Sequence, residues 1–85
     1  MNYDQRKYRK VRAFVDKIKL EAGCMDCGYS QHSSALEFDH VRGEKHFNIG
    51  ARLTSVSRAR LVAEMLKCDV VCANCHRVRT AERRL

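Results

Sequence analysis

Four cysteines stand in two C-x-x-C pairs, Cys24/Cys27 and Cys72/Cys75. Each pair can set two thiolates on one tetrahedral zinc, about 2.3 Å from the metal. A single pair is a weak signal, but two in an 85-residue chain predict one four-cysteine site. A chain this short buries a small core, and such domains often need a metal, a disulfide or an oligomer to be stable. Residues 28–71 lie between the pairs, more than an ordinary zinc ribbon holds, so further structure must fold within that interval. The competing reading is two thiol pairs without metal, or a redox pair. Cys68, the odd cysteine, ends an amphipathic segment and reads as a small buried residue.

The metal reading depends on compartment. No apolar run approaches the roughly 20 residues needed to span a membrane. The N-terminal stretch MNYDQRKYRKVRAF lacks the apolar core of a signal peptide. Together these predict a cytoplasmic protein with no membrane partner, where clustered cysteines are metal ligands more often than disulfides. Lys plus Arg number 17 against 10 acidic residues, a net charge of +7. A small folded protein with that excess usually meets a polyanion, most often nucleic acid. Solubility, or an anionic membrane surface, is the plainer alternative.

Residues 2–22 contain no Gly or Pro, and Val11, Phe14, Val15 and Ile18 recur at helical spacing, with Gly23 where a C-terminal cap would stand. Basic residues at 6, 7, 9, 10, 12, 17 and 19 cover most of the remaining surface, as a phosphate-contacting face or a solvated one. CMDCGYSQ reads as a tight loop. ALEFDHV (35–41) alternates, RGE signals a turn and KHFNI (45–49) is β-prone, which predicts a hairpin. Ser55 or Ser57 can cap a helix over RARLVAEMLK, with Leu61, Val62, Met65 and Leu66 on one face. A last helix is expected over 74–84.

Cys72-Ala73-Asn74-Cys75-His76 also spells the c-type haem signature. Haem is normally attached outside the cytoplasm, and it would leave Cys24 and Cys27 without a role. A different constellation uses every piece. Asp39 and His40 are an adjacent carboxylate and imidazole at a strand end, and His76 follows a zinc ligand. A zinc knuckle would hold the start of the last helix near the hairpin, where His76 could face Asp39. Those two on one divalent ion leave sites for water and phosphate oxygens, an open site unlike the closed four-cysteine one. His40, with a reference pKa of about 6.5, suits proton abstraction from water.

The pattern CMDCG, then LEFDH, then LKCDVVCANCH resembles the HNH endonucleases, the ββα-metal group, in their small zinc-ribbon form. The resemblance covers residues 24–80. It implies an α+β fold: a ββα-metal hairpin-plus-helix core stapled by a four-cysteine zinc, with an N-terminal basic helix (1–23) and an inserted helix, as one domain over 1–85. It implies a phage or bacterial DNA endonuclease that hydrolyses phosphodiester bonds to a 5′-phosphate and a 3′-hydroxyl. Asp39 and His76 would hold the catalytic metal, His40 would be the general base, and Cys24, Cys27, Cys72 and Cys75 would hold a structural zinc. Magnesium or manganese would suit the carboxylate and phosphate; nickel or zinc would suit His76.

Two departures stand out. The family's middle Asn falls here on Lys67, Cys68 or Asp69; Asn48 lies on the second candidate strand, and Asn74, inside the knuckle, is the expected substitute. In a regular strand Asp39 and His40 point to opposite faces. The site therefore needs the strand to end or bulge at 39–40; otherwise His40 is a satisfied core histidine. His32 and His46 read as solvent-facing or structural. DNA contact is expected from Arg6, Lys7, Lys10 and Arg12 on the first helix, from Arg42 and Lys45 near the site, and from Arg77 and Arg79 on the last helix. Nothing suggests base-specific readout, so site choice, and whether one strand or both are cut, is left to a homodimer, a phage or host protein partner, or DNA structure. A non-catalytic zinc-ribbon module that binds nucleic acid is the alternative function.

Overall fold

A computed structural model describes residues 2–85. Helix α1 spans Tyr3–Ala22. Asn2 opens it: its side chain accepts from the Gln5 amide at 2.8 Å, and the Gln5 side chain accepts from the Asn2 amide at 3.1 Å. This reciprocal capping box satisfies two donors that the first turn would leave unpaired. Gly23 closes the helix at φ 67°, a left-handed backbone that suits glycine, and donates to the Lys19 carbonyl. Val11 and Val15 are buried, with Phe14 and Ile18 packed beside them, so the apolar stripe expected on this helix forms.

Strand β1 (Leu36–His40) follows a short 3-10 turn at Ser33–Ala35. A second 3-10 turn, Ile49–Ala51, precedes α2 (Arg58–Met65), whose cap is Ser57. Strand β2 (Cys68–Cys72) then runs directly into α3 (Ala73–Arg83). Among the described residues the fold is thus mixed α and β: three α-helices around one two-stranded antiparallel sheet. No described helix is long and apolar enough to cross a membrane.

The hairpin expected between 35–41 and 45–49 does not form. The partner of β1 is β2, paired Leu36↔Cys72, Phe38↔Val70, Asp39↔Asp69 and His40↔Cys68. CDVVC is a short β-branched run whose Val70 and Val71 are buried, and strand pairing gives its backbone partners that burial would otherwise deny. In KHFNI the demands differ. Phe47 and Ile49 pack into the core beneath α1 and α2, and the His46 amide donates to the Glu64 side chain at 3.0 Å rather than to a ladder.

Two apolar clusters result. One joins Val11 and Val15 of α1 to Ile49, Leu53, Leu61 and Met65. The other surrounds the cysteines with Leu36, Val70 and Val71. Phe38 packs against both. A core of this size supplies only ~3–5 kcal/mol, whereas a structural zinc site releases about 10–16 kcal/mol on binding. A metal held by the four cysteines would therefore add more to stability than the core supplies by itself.

Candidate functional site

The four sulfurs of Cys24, Cys27, Cys72 and Cys75 lie within 4.8 Å of one another and can hold a metal ion such as zinc. Cys27 Sγ and Cys72 Sγ are 3.7 Å apart. A disulfide needs about 2.05 Å, while two thiolates on a tetrahedral zinc stand about 3.8 Å apart, given bonds of about 2.3 Å. The donor set therefore fits zinc. The knuckles also supply N–H donors to sulfur: Cys27 N to Cys24 Sγ and Cys75 N to Cys72 Sγ, both 3.4 Å. Burial pushes the Cys24 thiol up, but backbone donors from Cys72, Cys27 and Asp26 outweigh it and bring it down to about 6. The side-chain hydrogen bond with Cys72 pushes the Cys75 thiol up, so the cluster favours one thiolate, and the other thiols would lose their protons as metal binds. Cys68 is separate, buried by α2 and pushed up to about 11 by that burial, as a packing residue should be.

Beside this cluster the edge of β1 lines an open cleft of about 500 Å³. Asp39 and His40 come from β1, His76 from the first turn of α3, and Lys45, Asn48 and Gly50 from the connecting loop. The strand is regular to its last residue, so adjacent side chains alternate. Glu37 and Asp39 face α3; Phe38 and His40 face α1 and α2. The strand neither breaks nor bulges at 39–40, and His40, paired with Cys68 in the ladder and bonded to buried Glu64, has the surroundings of the alternative expectation, a satisfied histidine. His76 reaches across instead: its Nε2 lies 3.5 Å from Asp39 Oδ1, and its Nδ1 lies 2.6 Å from Glu37 Oε1.

Asp39 is 4% exposed and strongly engaged. Arg83 donates to Oδ1 at 2.9 Å and to Oδ2 at 2.7 Å, and Arg79 donates to Oδ2 at 2.8 Å. Arg83 is the largest of the influences that hold this carboxyl at about 2, against the opposing effect of burial. Arg79 is a hub: it also binds both oxygens of Asp26 at 2.7 Å and Asp69 at 3.1 Å. It thus ties the first knuckle and both strands to α3.

On the opposite face of β1, His40 Nε2 lies 2.9 Å from Glu64 Oε2. Sequence reading missed Glu64, which occupies an inward position of α2 and is 1% exposed. The only hint was an acid inside the apolar face RLVAEML. Burial pushes its carboxyl up, but the His46 amide, Lys67 and His40 hold it down at about 2. An ionised Glu64 can only accept, so it takes the Nε2 proton of His40 and turns Nδ1 away from itself. Asn74, the expected substitute for the family's middle Asn, does not fasten the loop after β1: it is exposed, and its side chain makes no hydrogen bond among the described residues. Lys67 takes that place. Its carbonyl accepts from the Val41 and Arg42 amides, and its Nζ donates to Glu44 O at 2.7 Å and Glu64 Oε1 at 2.9 Å.

Compared with known proteins, the chain matches no family model, no curated protein and no solved structure.

The cations expected at DNA divide by what they touch. Arg42 commits its donors to Leu66 O, Cys68 O and Asp69, and Arg79 to three aspartates, so both brace the fold. Arg12 is tied to Asp16 and Tyr8, and Lys7 to the Thr54 carbonyl. Arg6, Lys10, Lys45 and Arg77 are exposed. Lys19, one of the basic residues of α1, lines the cleft and sits 5.5 Å over the Phe38 ring. His32 is exposed, and exposed His46 engages the Glu64 side chain through its backbone amide, in keeping with their structural reading.

Proposed function

We propose that the chain is a metal-dependent DNA endonuclease of the HNH type. The observation that carries the reading is one cleft at the edge of β1, which Asp39 and His76 line from one face of the strand and His40 from the other. The chain order β1, β2, α3 is the strand–strand–helix order of the ββα-metal group, with residues 41–67 inserted between the strands. Asp39 and His76 fit a divalent ion. Their 3.5 Å separation is near the roughly 3.0–3.4 Å between neighbouring ligands on one ion bonded at about 2.1 Å. Arg83 must release its bonds first, and its half-exposed side chain can swing into water, while Arg79 keeps its bond to Oδ2 and leaves Oδ1 for the ion. When bound, the ion supplies a Lewis acid for phosphate oxygens and for the leaving 3′ oxygen.

The chain's own residues do the rest. Glu64 fixes the His40 ring, and Nδ1 accepts a proton from the attacking water. Glu37 orients His76 through Nδ1, leaving Nε2 toward Asp39. Lys19 and Lys45 line the cleft and bring positive charge to a scissile phosphate.

A second reading, a zinc-ribbon module that binds nucleic acid without cutting it, draws on the saturation of Asp39 by Arg79 and Arg83. Conversion of supercoiled plasmid separates the two. Wild type and His40→Ala, both shown to keep zinc and DNA binding, are compared without added metal and with magnesium, manganese or nickel. Metal-dependent nicked or linear product that vanishes in the variant supports the nuclease. Binding by both proteins with no product under any metal supports the binding module.

A further inference from the structure

A second concavity lies away from the cleft just described, between α1 and the start of α2, with a volume of about 450 Å³. Its floor is apolar: Val11, Leu53 and Leu61, each at most 7% exposed. Its rim carries four cations, Arg6, Lys7 and Lys10 from α1 and Arg58 from α2, and no acidic residue lines it. Residues 3, 7 and 10 of a helix share a face, which brings Tyr3 to the same rim. Tyr3 is 69% exposed, its ring unburied by the fold.

These features conflict with a merely solvated surface. Four like charges around one apolar hollow repel one another, and no carboxylate of the rim offsets them. Arg58 is preset, its guanidinium stacked 4.4 Å over the Phe14 ring. Lys7 is preset by its bond to Thr54 O at 3.1 Å, with two ammonium protons left over. Arg6 and Lys10 have no ion-pair or hydrogen-bond partner among the described residues. The N-terminus of α2 adds positive potential to the same edge.

We propose that this hollow takes one unstacked nucleotide of a nucleic-acid strand. Its base lies on the apolar floor against Tyr3, and its phosphates lie on Arg6, Lys7, Lys10 and Arg58. The volume falls within the range of small-ligand sites, about 300–1,000 Å³. A duplex offers only stacked bases and would leave the apolar floor unfilled; a single strand, flap or gap supplies a free base. The site deepens the nuclease reading by naming single-stranded or branched DNA as the preferred form, but binding here does not require cleavage.

The test is fluorescence anisotropy with the zinc-loaded full chain carrying His40→Ala, so that cleavage does not interfere. The probes are a labelled ten-nucleotide oligothymidylate and an abasic strand of the same length and charge. The expected result is at least about fivefold tighter binding of the thymidylate, abolished by Tyr3→Ala and weakened for both strands by Arg6→Ala with Lys10→Ala. These are surface changes, and unchanged circular dichroism and zinc content confirm that each variant folds. Equal affinity for the two strands, or a preference that survives Tyr3→Ala, overturns the proposal. So does tighter binding to anionic phosphatidylserine vesicles, lost in the Arg6/Lys10 variant, than to either strand. Plasmid cleavage is scored separately: a base preference without cleavage keeps the hollow and removes the nuclease, and cleavage without base preference does the reverse.

Discussion

His40 and Glu64 stand 24 residues apart in the chain yet meet at 2.9 Å, one at the end of β1 and the other on the buried face of α2. This pairing fixes which imidazole nitrogen carries the proton. It also supplies a carboxylate to steady the ring when it becomes cationic. In the proposed hydrolysis, His40→Ala is expected to lower cleavage by about 10²–10⁴-fold. Glu64→Gln, which keeps the shape and frees the tautomer, should lower kcat by about 10–100-fold with little change in DNA affinity. Single-turnover cleavage beside anisotropy checks both. An unchanged rate in Glu64→Gln would remove Glu64 from the chemistry.

The same carboxylate has a pH signature in stability. Its folded value is about 2 against an ordinary 4.5. A depressed acid stabilises the fold fully above its unfolded pKa and loses that contribution as pH falls toward the folded one. Wild type should therefore exceed Glu64→Gln in urea stability at pH 7, with the gap shrinking below pH 4.5. Because acid also protonates the thiolates that hold zinc, the two proteins are compared only at pH values where both still carry bound zinc. A gap that stays constant across that range contradicts the assignment.

If the four cysteines hold zinc, its removal should unfold the chain rather than merely empty a site, since a small core often needs a metal beside it. A strong chelator at pH 7 is expected to collapse the near-ultraviolet circular dichroism and broaden amide resonances. Cys27→Ser should behave in the same way without chelator. Cobalt substitution should give a thiolate charge-transfer band at one equivalent per chain. Retention of a cooperative melt after metal is stripped would show that the core holds the fold without metal.

Arg83 should compete with a cation for Asp39. Arg83→Ala is expected to tighten manganese binding by about fivefold, the scale of a half-exposed ion pair. Asp39→Asn should abolish it. Manganese relaxation enhancement of water protons reads both in zinc-loaded protein without DNA. Equal affinity in wild type and Arg83→Ala would show that Arg83 does not guard the site.

Local signals were legible in the sequence. The α1 stripe, the Gly23 cap, the Ser57 cap and the four-cysteine cluster follow from spacing and backbone chemistry. Pairing was not legible. KHFNI has strand propensity, and the adjacent RGE turn favoured a local hairpin, but burial of Phe47 and Ile49 and the hold of Glu64 on the His46 amide took that segment out of the sheet. The partner, CDVVC, was hidden because five residues, apolar but for Asp69, carry no period that separates strand from helix. Glu64 was missed for a related reason. An acid in a helix reads as solvent-facing until the groups that neutralise its burial, Lys67, His40 and the His46 amide, are seen together in space.

The distant pairing of β1 with β2 has a kinetic consequence. The strands cannot meet until a loop of residues 41–67 has closed, and the ion that would clasp the knuckles needs ligands from both ends of a still longer loop. Contacts of such separation slow the search for the native state. An ion captured early by Cys24 and Cys27 would wait for Cys72 and Cys75, and their arrival would bring β2 to the free edge of β1 in the same event. Refolding should therefore quicken with free zinc concentration until capture saturates, making metal supply a control on the rate at which this molecule matures.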